Sequence, residues 1–186
     1  MQLDDEAAWI KGVTHCPSPN HNARPKGHNI DLIVIHCISL PPKEFGGPFI
    51  TDLFLNQLNK ASHPTFENIA HLEVSAHVLI RRTGEVIQYV SLQDRAWHAG
   101  VSCFNGREKC NDFSIGIELE GYDDILYTDI QYQQLASLIK LLQQHWPHLN
   151  RNQIVGHSDI APERKTDPGP AFDWQKLWQL LEKGGR

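Results

Sequence analysis

The sequence predicts an α/β fold: a single domain with a central mixed β-sheet flanked by helices. Three observations carry this. Leu32-Ile33-Val34-Ile35-His36 and Ile154-Val155-Gly156-His157 are apolar, β-branched runs that read as buried strands. Residues 114–120, Ser-Ile-Gly-Ile-Glu-Leu-Glu, alternate strictly, with Ile115, Ile117 and Leu119 on one face and Ser114, Gly116, Glu118 and Glu120 on the other. Two amphipathic helical patterns follow, the arrangement of helices packed on a sheet. At 186 residues the chain suits one domain with a sizeable core.

Taken in order, residues 1–30 read as an N-terminal extended segment packed on a domain spanning 31–183. Residues 11–30 are rich in Pro, Asn, His and Gly and show no period. The first core strand is 31–36. The stretch 37–74 holds Pro41-Pro42, Gly46-Gly47 and a short helical pattern at 51–58. A connection this long suggests a functional segment that lines or covers a site. Strands 75–81 and 86–90 form a hairpin around Thr83-Gly84. A helix runs over about 128–145, started by a Thr128/Gln131 capping box, with Leu135, Leu138, Ile139 and Leu142 as its buried stripe. Strand 153–156 comes next. A last helix starts at the N-cap Asp173, buries Trp174, Leu177, Trp178 and Leu181, and stops before Gly184-Gly185.

Composition narrows the function. Apolar residues make up 40% and charged residues 21%, as in a globular protein. A net charge of −5 argues against a nucleic-acid partner, since phosphate binding needs a basic surface. No stretch approaches the ~20 apolar residues of a membrane span, so no membrane partner is expected. Met1-Gln2-Leu3-Asp4-Asp5-Glu6 has neither the basic nor the apolar region of a secretory signal. Cys16, Cys37, Cys103 and Cys110 form no Cys-x-x-Cys pair and read as free thiols, which suits a cytoplasmic location. The count of 11 histidines favours metal modestly.

Two of those histidines and one aspartate suggest chemistry. His36 and His157 close apolar strands, and Asp167 lies in the proline-stiffened Lys165-Thr166-Asp167-Pro168-Gly169-Pro170. Two imidazoles and a carboxylate form a set used by catalytic zinc, with the fourth position left for water. Taken singly, each has an ordinary use: a hydrogen-bonded histidine at a strand end, or an aspartate capping the Pro168-Gly169 turn. Strand ends gather at one edge of an α/β sheet, where such proteins build their sites. Glu118 or Glu120 suits a general base, and alternation alone does not choose between them. Both equally fit a solvated strand face. Lys165, two residues before Asp167, could face the same pocket and hold an oxyanion, or belong to the charged surface run Glu163-Arg164-Lys165. Trp97 and His98, set among Ala96, Ala99 and Gly100, suit a sugar-binding loop or a packed core.

An ordered set of motifs then resembles a known family. Ile35-His36, Ser75-Ala76-His77, Ala96-Trp97-His98-Ala99-Gly100, Asn111 through Gly121, Gly156-His157 and Lys165 through Pro170 occur in the family's order. The chain is similar to the zinc-dependent N-acetylmuramoyl-L-alanine amidases, which share their fold with peptidoglycan-recognition proteins. Pro17-Ser18-Pro19, Leu40-Pro41-Pro42, Glu44-Phe45-Gly46-Gly47-Pro48 and Ala161 through Asp167 point to the branch acting on anhydro-muropeptides. The resemblance spans roughly residues 2–178. It implies a Zn2+ cofactor on His36, His157 and Asp167, Glu118 activating water, and Lys165 beside the oxyanion. Glu120 is then supporting structure, and Trp97, His98, Lys109 and Cys37 lie along the substrate. The implied reaction hydrolyses the amide between the lactyl group of anhydro-N-acetylmuramic acid and L-alanine, in a cytoplasmic monomer. In the family this recycles peptidoglycan and limits β-lactamase induction.

Three positions depart from the family pattern. Asn often stands where this chain has Cys37, and Arg where it has Glu73 and Lys109. Glu73 reverses a charge, so a changed peptide preference is expected if that position meets substrate carboxylates. A non-catalytic peptidoglycan-binding module on the same fold is the alternative function. Such modules typically lack part of the zinc set, which is complete here. A lytic amidase of the intact wall predicts an export signal or a wall-binding domain, and neither is visible.

Overall fold

The computed structural model describes residues 1–183. The chain opens with a hairpin of β1 (Gln2–Leu3) and β2 (Ile10–Lys11), followed by β3 (Thr14–His15) and β4 (His21–Ala23). The long strand β5 (Leu32–Ile38) leads to the helix α1 (Phe49–Phe54). An antiparallel hairpin joins β6 (Val78–Ile80) and β7 (Val86–Gln88). Short strands β8 (Asp94–Ala96), β9 (Cys103–Phe104) and β10 (Arg107–Glu108) precede the long β11 (Ser114–Glu120). Then come α2 (Asp129–His145), β12 (Ile154–Gly156), α3 (His157–Ile160) and α4 (Trp174–Glu182).

The central sheet has the order β12-β5-β11-β6-β7-β3. It is mixed: every neighbouring pair is parallel except β6/β7. Part of the N-terminal segment extends this sheet, since β3 pairs with β7, and β4 pairs with β8 beside it. The half-buried Arg24 ties the same segment down by donating to the carbonyls of Asn111, Asp112, Leu92 and Ser114.

Central parallel strands are covered on both faces, so every residue of β11 is buried. On one face Ile33, Ile35, Ile115, Ile117 and Leu119 pack under α2 and α4 through Leu135, Leu138, Ile139, Leu142 and Leu177. On the other, Leu32 and Val34 meet Ala99, Phe113 and Ile160. A second cluster around Phe66, Tyr89, Leu53 and Phe54 takes in α1 and most of the 49–74 stretch. The helix expected over 51–58 stops at Phe54, because Asn56 adopts a left-handed conformation (φ 59°) that an α-helix does not continue through. In the hairpin the first strand is shorter than expected. Ser75 donates its N–H to Trp97 and His77 donates to Gly116 instead. The capping box of Thr128 and Gln131 is present, and Asp173 accepts from Lys176 N–H as the N-cap of α4. The expected helix stop at Gly184-Gly185 lies outside the described residues. Among the described residues no helix is long and apolar enough to cross a membrane.

Candidate metal centre

Register sets up the site. Parallel pairing aligns Ser114 with Leu32, Gly116 with Val34 and Glu118 with His36. Aligned residues of neighbouring strands share a face, so Glu118 and His36 emerge side by side where the two strands end. β12 aligns Gly156 with Ile35, which brings His157, the next residue, to the same edge. There the chain turns at once into α3, whose start is fixed by Gly156 N–H donating to Asp159 (2.7 Å).

The loop carrying Asp167 is clamped from several sides. Asp167 O accepts from Ser158 N–H (3.0 Å), and Pro168 O accepts from the Tyr127 hydroxyl (2.7 Å). Thr166 donates its hydroxyl to Asp123. Gly169 is obligatory: its φ is +80°, and an added Cβ would lie 2.3 Å from the Asp123 Cα.

His36 Nδ1 lies 2.9 Å from His157 Nδ1, and Asp167 Oδ2 lies 3.1 Å from each. Both imidazoles are buried and the carboxylate nearly so. The proton of His157 belongs on Nε2, because the nearer partner of that nitrogen is an acceptor, the Ala99 carbonyl, at 3.1 Å, with the Arg164 guanidinium farther off at 3.5 Å. Its Nδ1 therefore carries a lone pair toward the cluster. Asp167 Oδ2 is also an acceptor. Converging lone pairs repel unless a cation sits among them. A tetrahedral ion with bonds of about 2.0–2.1 Å sets its donor atoms about 3.3 Å apart, close to the spacing seen. The donor set fits a metal ion.

Burial pushes His36 down to about 4, with Asp167 opposing the shift and His157 adding to it. A neutral imidazole is the ligating form. Burial raises the Asp167 carboxyl, but the His157 and His36 rings beside it outweigh burial and hold the group below the usual carboxylate range. Glu118 goes the other way. Burial, then the Asp167 charge, pushes it well above that range, with Lys165 opposing. Its Oε2 is buried and has no hydrogen-bond partner among the described residues. A buried carboxylate oxygen left unpaired is costly and marks a place where a ligand or water is received.

The two glutamates of β11 thus separate. Glu120 is spent on structure: it accepts from Gly46 N–H (2.6 Å) and Arg82 N–H (3.0 Å) and pairs with Arg81 (3.3 Å). Neither glutamate lies on a solvated face, because β11 is a central strand.

Two cavities flank the centre. One of about 380 Å³ is lined by Cys37, Ser39, Tyr122, Asp123, Lys165 and Asp167. The other, about 560 Å³, is lined by Val101, Cys103, Lys109, Pro162 and Glu163. Arg164 borders both and donates to Ala99 O (2.6 Å), the carbonyl that also receives His157. Of the 37–74 stretch, Cys37, Ile38 and Ser39 line the smaller cavity. Cys37 donates its thiol to Asp123 (3.4 Å), and burial raises that thiol. Trp97 lines neither cavity; its indole N–H donates to Asn22 (2.8 Å). Glu73 is exposed. His98, expected along a sugar, has both ring nitrogens engaged by the protein, on His36 (2.9 Å) and Ser114 (3.1 Å). Sequence reasoning missed Ser114, Asp123 and Arg164. The last was hidden in a charged run that resembled ordinary surface.

Comparison with known proteins identifies the family. The family model described as N-acetylmuramoyl-L-alanine amidase matches residues 26–170. The 1,6-anhydro-N-acetylmuramyl-L-alanine amidase AmpD of Escherichia coli (strain K12) is 56% identical over 178 residues, covering 96% of this chain and 97% of that protein. The crystal structure of an AmpD selenomethionine derivative superposes with a TM-score of 0.93 at 55% identity, covering 97% of this chain and 99% of the other. AmpDh3 from Pseudomonas aeruginosa, solved in complex with anhydromuramic pentapeptide, superposes at a TM-score of 0.60 and 28% identity, over 97% of this chain and 66% of that one. The chain belongs to the N-acetylmuramoyl-L-alanine amidase family, in its AmpD branch.

Proposed function

We propose that His36, His157 and Asp167 hold one zinc ion and that the chain cleaves anhydro-muropeptides. The bond broken is the amide between the lactyl group of 1,6-anhydro-N-acetylmuramic acid and L-alanine. The observation that carries this is the meeting of three acceptor atoms, spaced 2.9–3.1 Å, on the strand edge from which the unpaired Glu118 carboxyl also emerges. The substrate class is supported by the AmpD relatives.

When bound, a zinc ion polarises the scissile carbonyl and makes a neighbouring water easier to deprotonate. Glu118 takes the proton of the attacking water. Its raised proton affinity suits a base that must then give that proton to the departing alanine nitrogen. Lys165, bordering the smaller cavity, places its ammonium beside the negative charge that develops on the carbonyl oxygen. Cys37 and Lys109, on the two cavities, contact substrate, and Trp97 is braced by Asn22 to face the muramyl ring.

The three candidate ligands, Glu118 and Lys165 are all supplied by a single chain, which is compatible with a monomeric working unit. Residues 31–183 form the catalytic part, and 1–30 brace it through Arg24 and Asn22. Four free thiols support a reducing, cytoplasmic setting.

The test is release of free peptide from purified anhydro-muropeptide and from the matching reducing-end muropeptide. The expected result is cleavage of the anhydro form, abolished by a chelator and restored by zinc. A zinc-loaded protein that binds muropeptide without releasing peptide would instead make it a recognition module. Equal cleavage of both forms would remove the anhydro specificity.

A further inference from the structure

We infer that His98 is a positioning residue that fixes the tautomer and orientation of His36 for metal binding. The inference rests on the zinc reading above and adds a role to it.

For His36 to aim a lone pair from Nδ1 into the cluster, its proton must sit on Nε2. A buried N–H needs an acceptor. The atom supplied is His98 Nδ1, at 2.9 Å. With Nδ1 accepting, the His98 proton must lie on Nε2, which points at the Ser114 hydroxyl oxygen 3.1 Å away. The two rings meet edge to face, with centroids 5.0 Å apart and planes at 82°. One consistent set of protons therefore runs from His36 through His98 to Ser114.

The strand beneath is shaped for this ring. Ser114 and Gly116 lie on the same face of β11 as Glu118. A Cβ on Gly116 would stand 2.4 Å from His98 Cγ and 2.6 Å from its Nδ1. Gly116, the one residue of this strand without a side chain, is thus the floor of the imidazole. From the other side, Asn111 Oδ1 accepts the backbone N–H groups of His98 (3.1 Å) and Ala99 (2.8 Å), holding the loop in place. That loop serves both metal histidines at once: His98 receives His36 by side chain, and Ala99 receives His157 by carbonyl. The two ligands are oriented by adjacent residues of one segment.

The test compares His98→Leu and His98→Gln with the unaltered chain. Zinc affinity is read by competition with a chromophoric chelator, and folding by circular dichroism. Loss of an outer hydrogen-bond partner typically costs about 10–100-fold in metal affinity, and this is expected for His98→Leu, with His98→Gln recovering to within roughly threefold because its amide can accept and donate in turn. In parallel, nitrogen-15 NMR of the unaltered zinc-loaded chain should find protons on Nε2 of both His36 and His98. A folded His98→Leu with unchanged affinity overturns the inference. So does a His98 proton on Nδ1, whether or not the leucine variant folds. Failure of the zinc reading looks different: the unaltered chain itself would bind no zinc.

Discussion

Replacing Glu118 by alanine lowers turnover of anhydro-muropeptide at least ~100-fold while the protein keeps its zinc, the loss typical of a missing general base. The separation of the two effects follows from geometry. The candidate metal cluster is His36, His157 and Asp167, whose donor atoms already lie 2.9–3.1 Å from one another. Glu118 is not one of them. It stands beside His36 because the β5/β11 register aligns the two residues, and its Oε2 is left without a protein partner. Glu118→Gln keeps the shape and cannot take a proton, so its turnover should fall as far as that of the alanine variant. Elemental analysis of each variant decides: zinc lost together with activity would make Glu118 a ligand.

Lys165→Ala is the second large effect, on the order of 100-fold or more in kcat with little change in KM, as for removal of one group that stabilises an oxyanion. Lys165 borders the smaller cavity, and its ammonium makes no ion pair or hydrogen bond among the described residues. Its backbone N–H is anchored to Ala161 O (2.9 Å), so the loop is held while the side-chain charge stays free to act. Its charge is felt by Glu118 and His36. Lys165→Arg retains the charge with a different geometry and should recover part of the rate. Steady-state kinetics of the alanine variant with unchanged kcat would remove Lys165 from the mechanism.

The regular elements were legible because their signals are local. β-branched runs mark β5 and β12, strict alternation marks β11, and a capping box marks the first residue of α2. Strands of two or three residues, such as β3, β4 and β8, are too short to show a period. They exist because tertiary partners complete them. The candidate ligand set was legible because strand ends collect at one sheet edge, but convergence itself depends on the β5/β11/β12 register, which no spacing reveals.

Glu118 and Glu120 are identical in pattern and differ only in what surrounds them. Glu120 meets Arg81 and two backbone N–H groups, supplied by segments distant in sequence. The family resemblance, more than the small neighbours of His98, points that residue toward substrate. Its orientation toward His36 depends on a glycine two residues before Glu118 on the same strand face. That glycine was visible in the sequence, but its purpose was not, since the ring it receives comes from another loop.

The most direct measurement is the zinc content of the purified chain and of His36→Ala, His157→Ala and Asp167→Ala, each loaded with zinc and dialysed before elemental analysis. One zinc per unaltered chain, and loss of tight binding in each of the three variants, is the result predicted. An unaltered chain that retains none, or any one of these variants that retains zinc at full affinity, would contradict a metal shared by these three residues.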